Sequence, residues 1–396
     1  MNNNNTRDNN SRALRAALIY IAATALIIIG VQPIFIGLLA ERLALSLSQQ
    51  GWVLSGEMAG TLLGSLLGSL LLPALGRRFG GRGLYLYAAQ AAGLLNAASA
   101  LLDDYVLLLA CRCACGSAAG LLYSGAINAL GRLPGQDRSY GLSLLLQTAV
   151  FALFAASLPL LAEAIGNRPA SASIGLWFAL IALASLAIPR RLRLDAPAAA
   201  SGNGAGSALI GRFALLGMLF LQLAIYCIWG FVEQLARERG IAAVDVGWAF
   251  GLGVLGGLPG AALPSLLGAR VSRGPMIGLG SALVLLSIVL LGGYANDAGR
   301  LCGALFVMNF GWVLALTYYM ASIATNDPRG NLTPWVSVVQ SGAAALAPAF
   351  IAVLLQGAGR QSIFVSAGAA VVTGFALKCL AGLAQRRQPQ QDRALP

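Results

Sequence analysis

The chain of 396 residues is 58% hydrophobic and only 10% charged, against about 25% charged in a soluble globular chain; no stretch is long and polar enough to fold as an aqueous domain, which excludes a soluble enzyme on a membrane anchor. The formal net charge of +12 is scattered over short loops between apolar runs and forms no patch or stripe, which argues against a nucleic-acid partner. The chain has no histidine, so His acid/base chemistry, His metal sites and axial haem ligation are excluded.

Met1 to Arg15 form a polar, Asn-rich tail. The apolar run behind it is about 25 residues long, beyond the roughly 7–15 of a signal-peptide core, and reads as a retained membrane helix. Apolar runs then recur along the whole chain, at 16–40, 51–73, 83–102, 104–130, 139–162 and 172–189, and again at 209–234, 245–268, 275–294, 299–323, 334–357 and 362–384. Each is long enough to cross about 30 Å of hydrocarbon as a helix, which satisfies its own backbone in lipid. The expected fold class is an all-α membrane protein of twelve transmembrane helices.

Between the two sets of six lies PRRLRLDAPAAASGNGAGS, rich in Ala, Gly and Ser as a flexible linker should be. The expected organisation is a tail 1–15, a six-helix bundle 16–189, a linker 190–208, a second bundle 209–384 and a tail 385–396. Arginines set the orientation. Arg77, Arg78, Arg82, Arg132, Arg138, Arg190, Arg191, Arg193, Arg270, Arg273 and Arg329 fall on one side. Arg42, Arg168, Arg237, Arg239, Arg300 and Arg360 fall on the other. The first side, which also holds both termini, is therefore cytoplasmic.

The halves resemble each other. A shift of 196 carries Gly51-Trp52 onto Gly247-Trp248, Gly60 onto Gly256, Gly64 onto Gly260, Leu71 onto Leu267 and Arg77 onto Arg273. Parallel six-helix halves are the signature of a rocking transporter with its substrate site near mid-membrane at the repeat interface.

Charges inside a bilayer cost at least about 2.5–3.5 kcal/mol each at a helix centre, and two stand out within the expected spans. Glu57 lies about six residues into its span and Arg112 about eight, or roughly 9 and 12 Å from the outer ends. Their similar depth places them within reach of each other, directly or through water. Burial raises a carboxyl pKa and a nearby guanidinium lowers it, so making and breaking this contact would swing proton binding at Glu57. The bland alternative is a static pair that holds the first half together. Glu233 and Gln234 read as interfacial residues at a helix end, and Asp103 and Asp104 as loop residues. Cys111, Cys113 and Cys115 lie in an apolar run with no His or carboxylate cluster nearby, so they read as small apolar filler, and no metal or cofactor is expected. Gly56, Gly60, Gly64 and Gly68 make one small-residue helix face suited to close packing. Pro33, Pro159, Pro259, Pro264 and Pro348 should kink their spans.

With this layout the chain resembles the major facilitator superfamily over essentially its whole length. That family's loop between spans 2 and 3 reads roughly Gly-x-Leu-Ala-Asp-Arg-x-Gly-Arg-Arg. Here Pro73 to Arg82 match it at Leu75, Arg78, Gly80 and Arg82, while Arg77 reverses the charge of the acid. The resemblance makes Arg77, Arg78, Gly80 and Arg82 a gate loop, and the reversal puts a latch built on that acid in doubt. Arg112-Cys-Ala-Cys-Gly116 matches an Arg-x-x-x-Gly pattern of proton-coupled members. The Gly-Pro-rich motif of drug antiporters is missing from Gly141 to Pro159.

In this family spans 1, 4, 7 and 10 line the cavity. The resemblance therefore implies substrate-binding roles for Gln32, Arg112, Tyr123, Gln222, Tyr226, Trp229, Asn309, Trp312 and Tyr318, with Gln147 and Gln340 as secondary candidates. It implies a secondary active transporter of the bacterial inner membrane, multi-pass and monomeric in its lipid. Its cargo would be a small amphipathic organic solute, for which Arg112 suits an anionic group, with protons as the coupling ion through Glu57 and Arg112. Uptake by symport and efflux of drugs or metabolites by antiport both fit these residues. A non-transporting ligand sensor with a transporter fold is the reading from another class. No nucleotide-binding pattern is present and no catalytic cluster marks an enzyme.

Overall fold

The computed structural model describes residues 2–45, 47–190, 204–229, 231–327 and 329–391. Within helices, the side chains of Gln32, Pro33, Arg77, Arg78, Pro159, Glu233, Gln234 and Pro348 lie outside the described residues. Among the described residues there is no strand. The helices are α1 (Asn2–Thr24), α2 (Ile27–Leu43), α3 (Leu47–Phe79), α4 (Gly81–Leu101), α5 (Tyr105–Arg132), α6 (Gln136–Ile165), α7 (Asn167–Ser185) and α8 (Gly204–Trp229). They continue with α9 (Val232–Glu238), α10 (Ala243–Val254), α11 (Gly257–Leu267), α12 (Arg273–Gly293), α13 (Ala298–Thr325), α14 (Trp335–Ala358) and α15 (Gln361–Gln391).

Among the described residues, 8 helical stretches are long and apolar enough to cross a membrane. They are Trp52–Leu70, Tyr105–Arg132, Asn167–Ser185, Ala208–Trp229, Asp245–Arg270, Arg273–Gly293, Ala298–Thr325 and Gln361–Leu380. The remaining expected ranges are helical too, in α1 with α2, in α4, in α6 and in α14. The outward faces carry large apolar side chains, among them Leu94, Leu176, Leu266 and Val365, which lipid covers at no hydrophobic cost.

Two expected spans are interrupted. The first breaks between Thr24 and Ile27. The span expected at 245–268 breaks at Leu255-Gly256, four and three residues before Pro259. Proline has no N–H for the carbonyl four residues back and its ring clashes there. The amides of Leu255 and Gly256 accordingly bond the carbonyls three residues back, Leu252 at 3.1 Å and Gly253 at 3.1 Å.

The chain forms two compact units, residues 1–130 with 146–194, and residues 131–145 with 195–396. Inside the first, α4 packs along α7, with α1 and α2 also on α7. Inside the second, α12 packs on α13 and α15 on α8. In each unit glycines bring two helices to backbone contact. A Cβ on Gly60 would lie 2.0 Å from the Cys113 carbonyl oxygen, and one on Gly64 1.9 Å from that of Ser117. The α5 glycines reciprocate, Gly116 on the Glu57 carbonyl and Gly120 on that of Thr61. In the second unit Gly256 and Gly260 press in the same way on the carbonyls of Phe306 and Phe310 in α13. The positions that matched under the 196-residue shift thus do the same packing work.

Two arginines repeat a second device. Helix C-termini leave carbonyls without intrahelical donors. Arg42 donates to the carbonyls of Ala100 and Leu102 at the end of α4, the latter at 2.8 Å. Arg239 donates to those of Gly292 at 2.9 Å and Ala295 at 3.1 Å at the end of α12.

Candidate functional site

The close approach of α3 and α5 decides the chemistry of the first unit. With no Cβ at Gly60 or Gly116, Arg112 of α5 reaches Glu57 of α3. The guanidinium clasps the carboxylate along one edge, Nε donating to Oε2 at 3.2 Å and Nη2 donating to Oε1. Glu57 is 3% exposed and Arg112 0%. The remaining side of the guanidinium faces α4. Nη1 donates to Asn96 Oδ1 at 2.9 Å and to Ser99 Oγ at 3.3 Å. The Phe35 ring of α2 lies 4.7 Å from the guanidinium carbon, a cation–π contact whose value rises when water is excluded. Asn96, Ser99 and Phe35 are themselves buried. The result is a net-neutral ion pair in a buried shell contributed by four helices. The two intramembrane charges that share a depth in the sequence are in direct contact, while Asn96, Ser99 and Phe35 were not among the candidates.

In the second unit three of the expected cavity residues meet. Trp312 of α13 donates its Nε1–H to Gln222 Oε1 on α8, and Tyr226 stacks edge-on to Trp312 with ring centroids 6.2 Å apart. Trp229 turns to Phe250, at 5.2 Å. Asn309 donates to the Leu305 carbonyl of its own helix at 2.9 Å. Tyr318 is apart from this group and within electrostatic range of Asp137 and Arg273. Tyr123 is buried on α5 in the first unit. Gln340 is buried on α14, its amide 3.5 Å from Met320 Sδ.

Of the gate-loop residues, Gly80 and Arg82 are described in full. Gly80 has φ +74, and a Cβ there would meet the Arg190 carbonyl oxygen at 2.8 Å. The Gly81 amide donates to that same oxygen at 2.8 Å, and Arg82 Nε donates to the Ile188 carbonyl at 2.8 Å. The loop is therefore tied to the end of α7 within its own unit.

An ion pair that the sequence reading missed lies in the second unit. Arg273, first residue of α12, donates from Nε and Nη2 to both oxygens of Asp137, at 2.8 and 2.7 Å. Asp137 is 2% exposed and sits in the first turn of α6, where a negative charge also complements the helix dipole. Arg273 is the 196-residue counterpart of Arg77. Hydrogen bonds to charged groups are worth about 1.5–3 kcal/mol each, and the two here act together. Asp137→Asn is therefore expected to lower the stability of the purified protein by about 2 kcal/mol in thermal unfolding. Arg273→Lys, which keeps the charge but not the fork, should lose part of that.

The chain has the fold of the major facilitator superfamily, and its apolar helices make it a multi-pass membrane protein. Solved structures that share the fold include the human organic anion transporter MFSD10 (TETRAN), with a TM-score of 0.69 at 15% identity over 93% of this chain and 99% of that one. They also include FucP, a transporter of the superfamily in the outward conformation, with a TM-score of 0.63 at 14% identity over 93% of this chain and 98% of that one. No family model and no curated protein matches the sequence.

Proposed function

We propose that the protein is a proton-coupled secondary transporter that moves a small amphipathic organic anion across the bacterial inner membrane by alternating access. It acts as a monomer of twelve spans with both termini in the cytoplasm. The observation that carries this reading is the buried Glu57–Arg112 pair. A buried ion pair is a poor way to stabilise a fold, since apolar side chains of similar volume commonly do as well or better. The second unit supplies that comparison internally. There the counterparts of Glu57 and Arg112 are Gly253 and the buried Met308, and a Cβ on Gly253 would lie 2.5 Å from Leu305 Cβ. The repeat packs without charges at this level, so the charges serve something other than packing.

Every edge of Arg112 is engaged in this structure. An anionic cargo reaches it only by displacing Glu57. Protonation of Glu57 removes the competing charge and leaves a guanidinium that favours a carboxylate or similar group. Proton and anion therefore load together, and loss of the proton restores the Glu57–Arg112 pair and expels the anion. Arg112 is thus both the partner of the coupling group and the cargo contact. Tyr123, Gln222, Tyr226, Trp229, Asn309, Trp312, Tyr318 and Gln32 are assigned to the remainder of the cargo, where aromatic surface and a few amides suit an amphipathic molecule. The loop of Arg77, Arg78, Gly80 and Arg82 is assigned to the gate. The description of MFSD10 as an organic anion transporter agrees with this cargo class.

Whole-cell accumulation of labelled organic anions, with and without an uncoupler, tests the reading. Symport predicts that collapse of the proton gradient lowers accumulation. A rise on uncoupling would assign efflux by antiport, and no change would reject proton coupling.

A further inference from the structure

Asn96 stands at the centre of a chain of contacts that runs across the first unit. Its Nδ2 donates to the Ser171 carbonyl of α7 at 3.2 Å, and its Oδ1 accepts from Arg112 Nη1 at 2.9 Å. A backbone carbonyl only accepts and a guanidinium only donates, so the two neighbours together fix which way the amide faces. Ser99 is held in turn, its Oγ donating to the Asn96 carbonyl at 2.7 Å while accepting from Arg112 Nη1. Both residues are fully buried. Neither touches Glu57 through any hydrogen bond, and both engage the one guanidinium nitrogen that Glu57 does not.

We infer that Asn96, seconded by Ser99, is a positioning residue that keeps Arg112 charged and in place while Glu57 binds its proton. The inference rests on the coupling role proposed for Glu57. When Glu57 is neutral, Arg112 is a cation without a counter-charge inside a membrane protein. It then needs neutral acceptors close by. Asn96 Oδ1 and Ser99 Oγ are those acceptors, and the Phe35 face is the third element of the cradle. Their negative dipole ends also point toward the pair from the side opposite Glu57. They therefore support the protonated state of Glu57 more than the ionised one.

The other titratable groups near Glu57 are Cys111 and Cys115, on the same helix as Arg112. Both thiols donate to backbone carbonyls, Leu95 at 3.1 Å and Ala92 at 3.5 Å, and the Cys115 sulfur also lies within hydrogen-bonding reach of Arg112. Arg112 is the charged group that Glu57 faces, and Asn96 and Ser99 are the oxygen acceptors that support it, with the Cys115 sulfur beside them.

The test needs no cargo. Purified full-length protein is titrated with acid while infrared difference spectra follow the protonated-carboxyl band, assigned to Glu57 by its loss in Glu57→Gln. Asn96→Leu keeps the volume and removes both hydrogen-bonding ends. It is expected to weaken proton binding at Glu57 about tenfold, a shift of about one pH unit toward acid. Ser99→Ala, a smaller change at the same nitrogen, should move the midpoint the same way by less. It carries the test if Asn96→Leu does not fold. A midpoint unchanged in the folded variants, or moved toward alkali, overturns the inference. If Glu57→Gln loses gradient-driven transport but the midpoint stays fixed in Asn96→Leu and Ser99→Ala, the coupling reading stands and this inference alone fails.

Discussion

Glu57→Gln is expected to leave solute exchange across the bilayer intact and to abolish accumulation against a gradient driven by pH. The amide is nearly isosteric, and its Oε1 still accepts from Arg112, which Asn96, Ser99 and Phe35 continue to hold. What the amide lacks is a proton to exchange. The variant is fixed in the electrostatic state of a protonated Glu57, with Arg112 free of a competing carboxylate. Anion binding should therefore survive or tighten, while release no longer follows the proton. Exchange of labelled for unlabelled solute and pH-driven uptake, measured on the same proteoliposomes, separate the two. PH-driven uptake at the wild-type level would remove Glu57 from the coupling step.

The second large effect concerns the pair as a unit. Removing one partner of a buried ion pair typically costs about 3–5 kcal/mol, because the other charge is left uncompensated, whereas replacing both by apolar groups is often near neutral. Arg112→Leu alone is thus expected to lower stability by several kcal/mol. The double variant Glu57→Ala with Arg112→Leu should recover most of the loss, because it leaves apolar residues at both positions, as the 196-residue counterparts Gly253 and the buried Met308 are in the second unit. All of these variants should lose coupled transport. Unfolding of the purified proteins measures the cycle. Additive losses, with no recovery in the double variant, would mean that Glu57 and Arg112 are not energetically coupled.

Much of this site was legible because charge inside an apolar run is rare and costly. Glu57 and Arg112 identified themselves by depth alone, and the glycine ladder on the same helix supplied the close approach that joins them. Asn96 and Ser99 carried no such signal. An Asn or Ser in a membrane helix commonly bonds a neighbouring helix, and Asn96 does this too, at Ser171. Its second bond, to Arg112, depends on which faces of α4 and α5 meet, which a linear pattern does not encode. Asp137 was invisible for another reason. It sits in a short loop-to-helix turn among arginines, and its partner Arg273 is 136 residues away. Arg42 and Arg239 read only as outer-loop cations, although each closes the end of a helix.

The cavity candidates were chosen by position along the spans. Position along spans 7 and 10 brought Gln222, Tyr226 and Trp312 into one group, and the structure holds them together. The same criterion admitted Asn309 and Tyr318. Asn309 donates its amide to its own helix, and Tyr318 is within electrostatic range of the Asp137–Arg273 pair. The interruption at Leu255-Gly256 follows from Pro259 by local sterics, whereas the break after Thr24 has no proline at the matching distance and was not foreseen.

Counterflow in proteoliposomes tests the central claim most directly. The purified protein is reconstituted into vesicles preloaded with an unlabelled organic anion that stabilises it in solution, and labelled anion is added outside. A transporter predicts transient entry of label against its gradient, lost when the protein is omitted. Binding of the label to the vesicles without exchange across the bilayer would contradict the account and favour a sensor built on the same fold.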